Sequence, residues 1–140
     1  METKEKDNLI FIRLFKDEDV YSCLKQACQK HNVKTGVFLS GLGQLKEFEL
    51  GFFKEKGNYM PEKYNIPHEL VLLTGNVALG DNDYDFHLHA LLSNEKKQTV
   101  GGHFIQGIIS VTGEIIILKS TIEVKRETEE WNGLKGLFLE

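Results

Sequence analysis

The stretch DFHLHALLSNEKKQTVGGHF, residues 85 to 104, holds three of the chain's five histidines: His87, His89 and His103. Imidazole changes charge near neutral pH and is the commonest metal ligand among side chains. Side chains alternate along a strand. In DFHLHAL, Asp85, His87, His89 and Leu91 therefore share one face, and Phe86, Leu88 and Ala90 the other. The apolar set belongs in a core, so the histidine face looks into solvent, a cleft or an interface. If Asn94 pairs with Gln98 around the loop Glu95 to Lys97, antiparallel register sets His89 opposite His103. A one-residue shift of the turn sets His103 opposite His87 instead. Cross-strand partners have Cβ atoms about 4.5–5.5 Å apart, so either register gathers the three imidazoles on one patch.

Crowded imidazoles repel one another when protonated, which depresses their pKa values. A divalent metal removes that conflict. Zinc takes neutral imidazole nitrogen at about 2.0–2.1 Å, and three histidines leave its fourth position open, as in catalytic or ligand-binding sites. Nickel, cobalt, copper and iron accept the same donors. A lone H-x-H is usually a pair of surface strand residues. The third histidine, in matching register, is what raises metal ligation to an even contest with that reading. Three carboxylates are candidates for moving protons or orienting ligands: Asp85 on the histidine face, and Glu69 and Glu114, each at the start of an apolar strand. Their plain alternative is a solvated acid at a strand end. His31 closes a helix, and His68 reads as a surface loop residue. No serine lies in a G-x-S-x-G elbow, and Cys23 and Cys28 read as small buried thiols.

The elements that must position these groups follow from periodicity. LIFIRLF, residues 9–15, reads as a strand. Val20, Leu24, Ala27, Cys28 and His31 recur at helical spacing, with Asp17 or Asp19 as N-cap and Asn32 as stop. GVFLSGLGQLKEFELGFF reads as a strand, a glycine bend and a second strand. Its glycines match neither nucleotide-binding spacing and serve turns or bulges. KEKGNYMPEKYNIP, residues 54–67, is polar, holds both prolines and reads as the longest irregular segment, placed to cover an active site or an oligomer edge. From residue 68 four more strands follow: HELVLLTGNVAL, YDFHLHALLS, TVGGHFIQGIIS and GEIIILKSTIEV. The tail WNGLKGLFLE adds an edge strand. About seven strands and one clear helix, without β-α-β alternation, make an α+β fold with a mostly antiparallel sheet.

At 140 residues the chain is read as a single domain over 1–140, its core over about 9–138. Its 41% hydrophobic and 27% charged residues exclude a disordered chain. No apolar run reaches the roughly 18–20 residues of a membrane span. METKEKDN lacks the apolar segment of a secretory signal, which places the protein in the cytoplasm. A net charge of −4 and only two arginines, Arg13 and Arg126, count against sequence-independent binding to phosphates.

From Glu69 to Arg126 the run ELVLLTGNVAL, HLHALLS, VGGHFIQGIIS and GEIIIL resembles the PPC (plants and prokaryotes conserved) domain, and GVFLSGLGQLKEFELGFF fits that family's Gly-x-Leu segment. The resemblance runs from about Leu9 to Phe138, and its most specific part is H-L-H-A followed by G-G-H. It implies an antiparallel sheet with flanking helices and a homotrimer. Plant members add AT-hooks and act as nuclear DNA-binding proteins. Stand-alone prokaryotic members lack the hook, and several hold a metal on the histidines that match His87, His89 and His103. The hook's Arg-Gly-Arg-Pro core is absent here. The fold also resembles that of acetolactate decarboxylase, a zinc enzyme that uses an H-x-H and a later histidine, a likeness of structural analogy.

Three functions follow as expectations. The first is a trimeric, regulatory module that binds a divalent metal or a small-molecule ligand. The second is a zinc-dependent enzyme acting on a small carbonyl or carboxylate, with Glu69, Asp85 or Glu114 moving protons. The third is a DNA-binding protein, favoured by the family and disfavoured by charge.

Overall fold

The computed structural model describes residues 1–139. Alternating apolar residues in β2 (Leu9–Phe15) bury Ile10, Ile12 and Leu14. The helix α1 (Val20–Lys30) turns Val20, Cys23, Leu24, Ala27 and Cys28 inward. Asp19 caps it, its carboxylate accepting from the Ser22 N–H at 2.8 Å, and Asn32 just past its end takes φ 50°. Burial pushes the thiols up, to about 11 at Cys23 and about 12 at Cys28, as expected of inert core cysteines.

The remaining elements are β1 (Glu2–Lys6), β3 (Thr35–Glu55), β4 (Asn58–Tyr64), β5 (His68–Leu79), β6 (Tyr84–Ser93), β7 (Thr99–Ser120), β8 (Val124–Thr128) and β9 (Lys135–Leu139). Seven strands form one antiparallel sheet in the order β1-β2-β7-β6-β5-β3-β4, and β8 and β9 form a separate pair. An additional pairing of β7 with β3 closes the circuit β3–β5–β6–β7. The core lies inside that closure and under α1, with Phe38, Leu45, Leu73, Leu88, Leu92, Phe104 and Ile109 among its fully buried members. The α+β reading with a mostly antiparallel sheet of seven strands and one helix therefore holds.

Several boundaries differ from the sequence expectation. The glycine-rich break expected at SGLG does not end a strand: β3 runs through it, with register irregularities between Phe38 and Ser40 and between Gly43 and Leu45. Gly43 has φ 149°, and a Cβ there would lie 2.1 Å from the Thr112 carbonyl oxygen, so only glycine fits between the strands. The two strands expected from TVGGHFIQGIIS and GEIIILKSTIEV are one, β7, which pairs with β3 on both sides of a register irregularity between Ile109 and Gly113. Residues 54–67 are not an irregular loop. A turn at Lys56-Gly57 returns the chain as β4, where Pro61 is tolerated because β4 is an edge strand. Ordered structure begins before residue 9, because Asp7 and Asn8, at φ 51° and 66°, form a hairpin turn that pairs β1 with β2. The tail does not extend the main sheet; it folds back on itself as the β8–β9 hairpin.

Two histidines outside the triad are structural. His31 is no free surface residue: Nδ1 meets Glu5 Oε2 at 3.0 Å and Nε2 meets Thr3 Oγ1 at 2.9 Å, tying the helix end to β1. His68, expected in a surface loop, is buried, with Nδ1 2.9 Å from the Ile66 carbonyl and its ring edge-on to Phe48 and Tyr64.

Candidate metal centre

The geometry begins with the turn between β6 and β7. The Asn94 N–H donates to the Gln98 carbonyl at 3.0 Å, and Lys97 sits in the left-handed region at φ 65°. The Asn94 side-chain oxygen accepts from the Lys96 and Gln98 N–H groups, each at 3.0 Å. An asparagine that supplies these bonds selects a three-residue loop, Glu95 to Lys97. Register follows from that loop: His89 pairs with His103, Ala90 with Gly102 and Ser93 with Thr99. Leu88, Ala90 and Leu92 are buried, so His87 and His89 face outward, and buried Phe104 turns His103 to the same side.

The three rings meet. Ring centres are 5.3 Å apart for His87 and His89, 5.4 Å for His87 and His103, and 5.6 Å for His89 and His103. One ligand nitrogen from each lies within 4.8 Å of the others. Tetrahedral bonds of about 2.05 Å to one zinc ion would set these nitrogens roughly 3.3 Å apart. The donor set fits a borderline transition ion. Burial, then the neighbouring His87 and His89, lowers His103 to about 4. Burial, then Arg126 and His89, lowers His87 as well. Protons therefore compete weakly for these two rings at neutral pH, which leaves them in the form a metal ion requires.

The triad lines a cavity of about 1050 Å³. Tyr59, on β4, places its ring edge-on to His103 at 6.1 Å, a position that Gly51 permits because a Cβ there would lie 2.2 Å from the Tyr59 hydroxyl oxygen. The same strand pair contributes Phe52, Phe53 and Pro61. Behind the histidines, Tyr21 stacks on Phe104, meets Phe86 edge-on and donates its hydroxyl to the Phe104 carbonyl at 2.7 Å. The β8–β9 hairpin adds Arg126, Leu134 and Lys135. Arg126 donates to the side-chain oxygen of Asn76, which is itself the β5 partner of His87.

Of the three candidate carboxylates, only Asp85 lines this cavity, and it forms an ion pair with Lys135. Glu69 and Glu114 do not reach the histidines. Glu69 pairs with Ser93, four residues along β6 from His89, or about 13 Å at ~3.3 Å per residue, and accepts from Gln44. Glu114 pairs with Arg13 and Leu42 and lies in a separate groove with Phe11. Each does open an apolar run, but on a different wall of the closed sheet. Sequence reasoning missed Tyr59, Arg126 and Lys135. The signal for Tyr59 was the segment read as a cover for an active site. Arg126 stood out only as one of two arginines.

Comparison with known proteins places this arrangement. Residues 1–121 match the Plants and Prokaryotes Conserved (PCC) domain. A candidate DNA-binding protein from Bacteroides thetaiotaomicron superimposes with a TM-score of 0.92 at 21% identity, over 99% of this chain and 96% of that one. A plant- and prokaryote-conserved (PPC) protein from Pyrococcus horikoshii gives 0.81 at 25% identity, over 96% and 93% of the two chains. A metal-containing protein from Archaeoglobus fulgidus gives 0.83 at 20% identity, over 98% and 95%. Over 110 residues the chain is 26% identical to the bifunctional protein GlmU of Synechococcus sp., covering 78% of this chain but only 16% of that relative's length. With all but the last nineteen of its residues inside the match, the chain belongs to the Plants and Prokaryotes Conserved (PCC) domain family.

Proposed function

We propose that the chain is a single-domain metal-binding module of this family, in which His87, His89 and His103 hold one divalent transition ion, zinc being the best match to three neutral imidazoles. The observation that carries this reading is the convergence of three ligand nitrogens within 4.8 Å at the wall of a large cavity. The metal-containing Archaeoglobus neighbour, similar in fold, supports it. Bound there, the ion would supply a Lewis acid with a position open to water or an oxygen ligand. The chain's own groups would shape what enters: Tyr59 against His103, Asp85 and Lys135 paired at the rim, Arg126 beside His87. Metal analysis of purified protein after zinc loading and desalting tests the site. About one ion per chain is expected for wild type and a small fraction of that for His89→Ala; equal, low content in both proteins refutes it.

The module is further read as a homotrimer. Phe11, Leu42 and Val111 are 57%, 49% and 64% exposed, a loss of burial that a partner copy would recover. We place it in the cytoplasm; no described helix is long and apolar enough to cross a membrane.

An enzyme acting on a small carbonyl or carboxylate is the second reading, favoured by the size of the cavity and the open ligand position. Its weak point is the base, since Asp85 is tied to Lys135 and the other two candidates are elsewhere. The Bacteroides neighbour's name raises a regulatory DNA-binding role, which the net charge of −4 opposes.

A further inference from the structure

Arg126 is a cation that lines the histidine cavity and carries one buried donor without a partner. It comes from β8, beyond the residues that match the family. Nη1 donates to the Lys135 carbonyl at 3.3 Å and Nη2 to Asn76 Oδ1. Two neutral oxygens thus hold the guanidinium in place. Its Nε is buried and has no hydrogen-bond partner, and among the described residues no carboxylate forms an ion pair with it. Asp85, the acid whose field reaches it, is engaged by Lys135. A buried charged donor left unmatched is costly, so a protein that keeps one has a use for it.

Charge balance says what that use is. The cavity lining carries two cations, Arg126 and Lys135, and two carboxylates, Glu49 and Asp85, the latter paired with Lys135. Three neutral imidazoles add nothing, so the double charge of a bound divalent ion would stand uncompensated. The cavity then needs an anion. A planar guanidinium fork matches a carboxylate better than it matches a point charge. The rest of the wall is apolar and largely aromatic: Phe52, Phe53, Tyr59, Phe86 and Leu134.

We propose that the cavity binds a carboxylate with an aromatic or similarly apolar body, its carboxyl group between the histidine triad and Arg126 and its body against Phe52 and Tyr59. This rests on the metal reading above, because the charge argument requires the ion.

The test uses the full chain loaded with cobalt(II), whose visible absorption reports changes at the ion, titrated with phenylacetate. A saturable change in the cobalt bands is expected. The uncharged analogue 2-phenylethanol should leave them unchanged. Arg126→Gln should keep the bands of the loaded protein yet bind phenylacetate about tenfold to a hundredfold more weakly, the loss expected for a charge-assisted pair. Arg126→Lys keeps the charge without the fork and should fall between; it decides the matter if Arg126→Gln does not fold. If no cobalt band forms, the metal reading fails and takes this one with it. A cobalt band that phenylacetate leaves unchanged, equal binding by wild type and Arg126→Lys, or tighter binding of phenylphosphonate than of phenylacetate overturns this proposal alone.

Discussion

His103 is the least exposed of the three imidazoles, and its surroundings make it the hardest to protonate. Its folded pKa of about 4 lies below the ~6.5 of an unfolded histidine. Between those values the unfolded chain binds the proton and the folded chain does not. Stability is therefore full above about pH 6.5 and falls as pH drops toward 4. His87, also lowered, acts in the same direction. In metal-free protein the urea midpoint should fall across this window, and His103→Gln should fall less steeply than wild type. Identical slopes would mean that His103 contributes nothing to the acid sensitivity. At this scale the sequence was informative: His87, His89, His103 and Asp85 could be placed on one strand face because the period of a strand is local. The pKa order within the triad was not legible, because it depends on how deeply each ring is covered.

The β6–β7 hairpin is the element that makes the site. Its turn rests on Asn94, whose side chain takes two backbone donors in the loop. Asn94→Ala should cost about 1–2 kcal/mol in urea unfolding and weaken metal affinity as the register loosens. Unchanged affinity in a destabilised protein would show that β3 and β5 hold the register without the turn. Gly75 on β5 is the second support. It has φ 143°, and a Cβ there would lie 1.9 Å from the His87 carbonyl oxygen. Gly75→Ala must push β6 away at His87. We expect a loss of roughly 1–3 kcal/mol, with reduced metal content in the folded fraction. Normal stability would mean that the strands part at no cost. The hairpin was readable because Asn94 and Gln98 sit close in sequence. The continuity of β3 and β7 was not, because a glycine marks a bend or a bulge according to the partner strand it meets, and those partners are far away in the chain. β4 was hidden for a related reason: an edge strand with polar side chains and Pro61 lacks the alternation that marks a half-buried one.

At the scale of the whole molecule, closure of the sheet decides which residues share a space. It brings β4 and the β8–β9 hairpin to the histidines and carries Glu69 and Glu114 away. It also leaves Phe11 and Leu42 exposed together along an outer groove. If that groove joins copies, light scattering should report three times the chain mass for wild type. Phe11→Glu, a change that leaves the monomer core untouched, should shift the population toward the single-chain mass. A wild-type monomer would refute the trimer. What the sequence determined alone was the α+β class, the outward face shared by His87 and His89, and the gathering of both with His103 in either register of the turn; the structure selected His89 as the partner of His103. Each depends on periodicity or on a short turn, where the interacting residues are near in the chain. Only the tertiary structure decided that Arg126, Lys135 and Tyr59 join the site and that two of three carboxylates do not. Those relations link residues dozens of positions apart, and no local propensity encodes which walls of a closed sheet will face one another.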